Sequence, residues 1–355
     1  MWLNSIVGLV NNTVHQPPAI RGVNLGGWLV LEKWITPSLF VGTDAVDEFT
    51  FYDTMTPDLA SRLYDHQNTF ITESDFMWLA EHGMQAVRLP VSYGVFGDQM
   101  PYNSTIEWVD RAFRWAQATG IKILLDLHTA PGSQNGNQES GRIGTIEWPH
   151  NPTNFAITLE VLTKLAERYR NHPSLLGIEL LNEPHPSIQT DYLENFYETA
   201  YHQLRDICSP DNWIVFSDNF KPRRWKHRLN SLNHQHLYID SHQYQAYTAR
   251  DKRLQINGHI VKTLYLVNYR LRAMYRQHPT IIGEWSLALD PDSLHGLSST
   301  QSHAARRAYG AAQLLVFEQA SAWFFWTYRT ENRIEWSFRD CIEIGLLPGS
   351  FKNSC

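Results

Sequence analysis

The chain has 355 residues, a length that a single α/β barrel commonly fills. Its 30 Lys and Arg against 36 Asp and Glu leave a net charge of −6 with no basic tail, which excludes an electrostatic nucleic-acid binder. Aromatic residues make up 13% of it, including 13 Trp and 16 Tyr; flat rings stack on the apolar faces of sugars as well as filling cores.

Cys208, Cys341 and Cys355 are an odd set whose spacing fits neither a zinc site nor a redox pair, so reduced thiols and no cofactor are expected. The opening segment, Met1 to Val10, lacks the positive lead and long apolar stretch of a secretory signal. No segment is long and apolar enough to span a bilayer. The expectation is a soluble, cytoplasmic protein, or a mature form whose signal has been removed.

Eight short apolar runs read as strands, in order Ile20–Leu29, Gln85–Val91, Lys122–His128, Leu176–Asn182, Trp213–Asp218, Leu237–Tyr244, Thr280–Trp285 and Ala322–Tyr328. Between them Glu107–Thr119 and Phe155–Tyr169 carry apolar residues at helical spacing, and Gly120 sits where the first helix would stop. Long loops are expected after the first, third and seventh strands, where they would wall a cleft. With no internal repeat, low-complexity run or linker, residues 1–355 read as one (β/α)8 barrel domain.

Polar residues collect at one end of these runs: Arg88, Asp126 and His128, Asn182 and Glu183, Asp218 and Asn219, His242 and Tyr244, Glu284, then Trp326. In a parallel barrel that end opens into the mouth where active sites form. Glu183 and Glu284 each close an apolar run, in Leu180-Leu181-Asn182-Glu183-Pro184 and Ile281-Ile282-Gly283-Glu284-Trp285. Far apart in sequence, they meet only if the sheet closes. Two carboxyls in one pocket suit glycoside hydrolysis, one as acid and base and the other as nucleophile.

The order of these endings, with Arg88-Leu89-Pro90 and His242-Gln243-Tyr244, resembles glycoside hydrolase family five over nearly the whole chain. Arg21-Gly22-Val23-Asn24-Leu25-Gly26-Gly27-Trp28, Ala130-Pro131-Gly132-Ser133-Gln134-Asn135-Gly136 and Thr327-Tyr328-Arg329-Thr330-Glu331-Asn332 are similar to its exo-β-1,3-glucanase subgroup. The resemblance implies Glu183 as acid/base and Glu284 as nucleophile of a retaining enzyme, whose carboxyls stand about 5–5.5 Å apart. It implies that Arg88 and Tyr244 hold Glu284 as an anion and that Asn182 donates to the sugar 2-hydroxyl. It also places Glu32, His128 and His242 around the glucose, Trp326 as its stacking floor and Tyr247 beside the leaving group. The implied substrate is a β-glucan or β-glucoside.

One departure bears on specificity. Asn137 follows Gly136 where the resembling subgroup carries an aromatic jaw against the leaving sugar, so a glycolipid or other non-sugar aglycone becomes an alternative to β-1,3-glucan. Transglycosylation uses the same intermediate and is not separable by sequence. A non-catalytic sugar-binding barrel is disfavoured because both carboxylates and Arg88 are present, each costly to bury without use. Among 16 histidines, His234-Gln235-His236 with Asp240 and His242 has the composition of a metal cluster. It lacks the spacing of one, so no metal is expected.

Overall fold

The computed structural model describes residues 19–229, 231–232 and 236–352. Within them eight parallel strands pair in chain order and close into a barrel: β1 (Ile20–Asn24), β2 (Ala86–Val91), β3 (Lys122–Leu127), β4 (Leu175–Glu179), β5 (Trp213–Ser217), β6 (Leu237–Gln243), β7 (Thr280–Trp285) and β8 (Ala322–Phe325). Closure is made by β1 against β8, with Ile20 opposite Ala322 and Val23 opposite Phe325. The fold is the expected (β/α)8 barrel. Of the residues singled out above, Met1 to Val10, His234, Gln235 and Cys355 lie outside the described ones.

The strands read as apolar runs because both faces are covered, by helices outside and by the plug inside. The helix Ile106–Thr119 shows the outer packing: Trp108, Val109, Ala112, Phe113 and Ala116 face the sheet at helical spacing, and Gly120, at φ 75°, ends it in the left-handed conformation. The next, Pro152–Tyr169, begins earlier than Phe155. Asn151 caps it by accepting from the Thr153 N–H, and proline fills the first turn.

Three sequence boundaries need correction. β1 ends at Asn24, β4 at Glu179 and β8 at Phe325, all short of the apolar runs that signalled them. Leu25, Leu29, Leu181 and Tyr328 are buried although they lie outside the ladder, and burial extends an apolar run as effectively as ladder pairing does. The connection after β1 is not a plain loop either; it folds into the helices Glu48–Asp53, Pro57–Thr69 and Glu73–Glu81, started at Asp47, Thr56 and Thr72.

The barrel interior is layered. Ala86, Leu124, Trp213, Val215, Ile281, Ala322 and Phe324 form a buried cluster separate from the core outside the sheet. Two residues along the same strand faces come Arg88 after Ala86 and Asp126 after Leu124, as the strand period of two requires. With Asn24, Glu179 and Asp240 they make a fully buried polar layer. The mouth lies above it.

Candidate active site

Arg88 organises that layer. Its guanidinium spans both oxygens of Glu179 at 2.7 and 3.1 Å, and also reaches Asn24 Oδ1 at 3.0 Å, Asn182 Oδ1 at 2.8 Å, Asp126 at 3.1 Å and Glu284 Oε1 at 3.2 Å. Burial alone would lower its proton affinity, but Asp126, Glu179 and Glu284 outweigh burial and hold it charged. A buried cation is tolerable only with such partners.

Glu284, inside β7, receives Arg88 at one oxygen and the Tyr244 hydroxyl at the other, 2.7 Å away. His242 Nδ1 lies 3.4 Å from that second oxygen. Burial pushes the Glu284 carboxyl up and Glu183 adds to the push, while His242, Arg88 and Tyr244 pull it back. Tyr244 is itself raised by burial and by Glu284, so its hydroxyl stays a donor.

Glu183 stands four residues beyond the end of β4, on the loop, with φ at 40°. A left-handed non-glycine residue costs about 1–3 kcal/mol and persists only where its surroundings impose it. Here the loop after β3 supplies the restraint. Gln134 donates to the carbonyl oxygens of His128 and Asn182 at 2.8 and 2.9 Å, and Asn135 donates to that of Glu183 at 3.1 Å. The side chain then meets His242 Nδ1 at 2.5 Å. Burial disfavours the charged form of His242, but Glu284, Asp240 and Glu183 together raise it well above the ordinary range.

Glu183, Glu284, His242, Tyr244, Tyr247, Glu32, His128 and Trp326 line one cavity of about 610 Å³. Arg88 and Asn182 do not line it. They sit directly behind, fully buried, and Asn182 keeps its amide nitrogen 3.5 Å from His128 Nε2. His128 donates through Nδ1 or shares a proton with Asp126 at 2.5 Å, and its ring lies parallel to Trp326 with centroids 5.3 Å apart. Burial, with Arg88 adding, keeps this imidazole far below its usual value and hence neutral. The Trp326 indole fits because Gly26 lies beneath it, where a Cβ would stand 2.7 Å from the ring. Glu32 accepts from Trp34 Nε1 at 2.8 Å, while its other oxygen is buried with no hydrogen-bond partner. Burial raises this carboxyl well above its usual value, and Glu139 adds to the effect.

Five cavity residues, Thr248 among them, escaped the sequence reading. Glu139 accepts from the side chains of Asn135 and Asn137 and is raised by burial and by Glu183. Phe220, half exposed, follows Asn219 with both residues at positive φ. Its N–H is anchored 2.7 Å from Asp218 Oδ1. Trp34 and Trp336 meet edge to face at 5.2 Å, and Trp336 lies against Tyr244 and Tyr247. Only Asp218-Asn219, a turn-forming pair just before an aromatic, offered a sequence signal for any of them. Asn137 lines the cavity and is exposed.

Two sets of ligand-type atoms cluster here: one from Glu179, Asp240 and His242, and one from Glu183, His242 and Glu284, each within 4.8 Å. Both His242 nitrogens are already engaged, by Glu183 and by Asp240. His236 lies apart from both sets, 4.0 Å from Asp211. Among the described residues no helix is long and apolar enough to cross a membrane.

The family model Cellulase (glycosyl hydrolase family 5) matches residues 48–336. The chain is 34% identical to a probable glucan 1,3-beta-glucosidase A of Emericella nidulans, covering 99% of this chain and 96% of that protein. It is likewise 34% identical to the glucan 1,3-beta-glucosidase of Schwanniomyces occidentalis, over 96% and 90% of the two. The crystal structure of a rutinosidase from Aspergillus niger has the same fold, with a TM-score of 0.77, 20% identity, and coverage of 93% of this chain and 98% of that one.

Proposed function

The chain belongs to glycosyl hydrolase family 5 and is a retaining glycoside hydrolase, and on that premise we propose that it removes a terminal β-linked glucose, with Glu284 as nucleophile and Glu183 as acid and base. The observation that carries these roles is the trio of Glu183, His242 and Glu284, whose oxygens and ring nitrogen lie within 4.8 Å at the wall of the cavity. Such proximity suits direct attack by one carboxylate and leaves no room for a water between them.

In the first step Glu284 attacks the anomeric carbon from the α face, and the proton shared by Glu183 and His242 passes through Glu183 to the departing oxygen. Arg88 and Tyr244 hold the Glu284 oxygens in line, so little reorganisation is left for the transition state. In the second step Glu183 takes a proton from water, which opens the glucosyl ester and returns the β configuration. Trp326 is the floor under the sugar. Glu32, with its unpartnered oxygen, accepts from a glucose hydroxyl, and the neutral His128 offers its Nε2 as a further acceptor, whereas both nitrogens of His242 are held by Glu183 and Asp240.

On the leaving-group side Tyr247 and Phe220 offer rings, while Asn137 stands where an aromatic would complete a clamp. The relatives' names favour β-1,3-glucan as substrate. The exposed Asn137 favours, as a second reading, a short or non-sugar aglycone. Product analysis by proton NMR on an aryl β-glucoside, laminari-oligosaccharides and a glucosyl lipid tests the proposal. β-Glucose as the first product is expected, together with single glucose units from the oligosaccharide end. Internal cleavage of the oligosaccharides would refute the exo reading.

A further inference from the structure

β7 carries one more residue than its neighbours at the point where it delivers Glu284. Against β6, Asp240 pairs with Ile281 but His242 pairs with Glu284; against β8, Ile282 pairs with Trp323 but Trp285 pairs with Phe325. Both register shifts enclose Gly283, which is therefore a bulge on β7 relative to both sides. Bulges re-aim the side chain that follows them.

Side chains pin both backbone groups of this bulge. The Gly283 N–H donates to Asp240 Oδ1 at 2.6 Å, and its carbonyl accepts from Asn24 Nδ2 at 2.8 Å. The second Asp240 oxygen lies 3.1 Å from His242 Nε2 and 4.0 Å from Arg88 Nε. The fit leaves no slack, for a Cβ at position 283 would fall 1.8 Å from Asp240 Oδ2. Asp240 thus touches the residue before Glu284, the imidazole between Glu284 and Glu183, and the edge of the guanidinium on Glu284. It does not line the cavity.

We propose that Asp240 is a positioning residue that sets the aim of Glu284 and the orientation of His242 at once, by holding the Gly283 bulge with one oxygen and the imidazole with the other. The inference rests on the nucleophile role given to Glu284. A side chain that acts only through geometry alters the approach to the transition state more than ground-state binding, and a misplacement of about 1 Å can cost about a hundredfold.

The test compares wild type, Asp240→Asn, Asp240→Ala, Gly283→Ala and the double variant Asp240→Ala with Gly283→Ala. Each is measured on a dinitrophenyl β-glucoside, with active protein counted by covalent labelling with a 2-deoxy-2-fluoro-glucoside. Per labelled site, Asp240→Asn is expected to lose about a hundredfold in kcat with KM within about threefold of wild type, because the amide keeps the shape but cannot accept at both sites. Gly283→Ala should be severe in the wild-type background and mild in Asp240→Ala, where the space is free. Wild-type kcat per labelled site in Asp240→Asn, or an equal effect of Gly283→Ala in both backgrounds, would overturn the proposal. Peptide mapping of the wild-type adduct separates the two claims, since a label on a residue other than Glu284 removes the reading on which this one stands, whatever the variants do.

Discussion

At the scale of single residues, donors apportion the work between two carboxylates. Glu284 has Arg88, Tyr244 and His242 around it, whereas Glu183 has His242 alone among the described contacts at hydrogen-bond range. Because burial raises Glu284, activity is lost as pH falls through a value above the ordinary carboxylate range. Tyr244→Phe removes a donor that lowers it, so the acidic limb of kcat/KM should move to higher pH and the plateau should drop about tenfold. The limb belongs to the coupled trio, not to one group. A pH profile with an unmoved acidic limb would show that the Tyr244 hydroxyl does not govern ionisation of the site. Both glutamates were legible in the sequence because each closes an apolar run, and Arg88 and Tyr244 because their motifs resemble those of the family. Glu139 was not, and Asp240 was legible only as part of a metal-like composition without the spacing of a metal site, since a lone acid in a polar loop and an acid within a strand look alike whether solvated or buried.

At the scale of elements, loops carry what strands do not. The β3 loop staples the end of β4, and this gives Ser133-Gln134-Asn135-Gly136 a structural role: Gln134 and Asn135 hold Glu183 in a conformation it would not adopt alone. Gln134→Ala should leave the barrel folded yet lower kcat by about tenfold or more through loosened aim of Glu183. Unchanged kcat with normal thermal stability would mean that the β4 end holds itself. At the mouth, Asn137→Phe should raise turnover of laminari-oligosaccharides about three- to tenfold, the worth of one stacked ring, with aryl glucoside turnover nearly constant. Equal changes on both substrates would place position 137 outside the leaving-group subsite. The eight strands were legible from apolar runs, but β1, β4 and β8 stop early because buried loops mimic strand composition. The helices after β1 were missed although Asp47, Thr56 and Thr72 are standard start residues, since short helices give little periodic signal.

At the scale of the whole molecule, the barrel separates stability from chemistry by layer. The apolar plug below Arg88 holds the strands together, and none of its residues lines the cavity. Phe324→Ala should therefore destabilise the protein by about 3–5 kcal/mol in denaturant melts, while kcat per folded molecule stays near wild type. A large fall in kcat of the folded fraction would show that the plug and the polar layer above it are mechanically linked. The central claim is the division of labour between two glutamates that only barrel closure brings together. Azide rescue on an activated aryl β-glucoside tests it most directly. Glu183→Ala should yield β-glucosyl azide, since azide replaces water on the Glu284 ester, and Glu284→Ala should yield the α-anomer, since azide then attacks in place of the missing carboxylate. The same anomer from both variants, or the two reversed, would contradict the assignment.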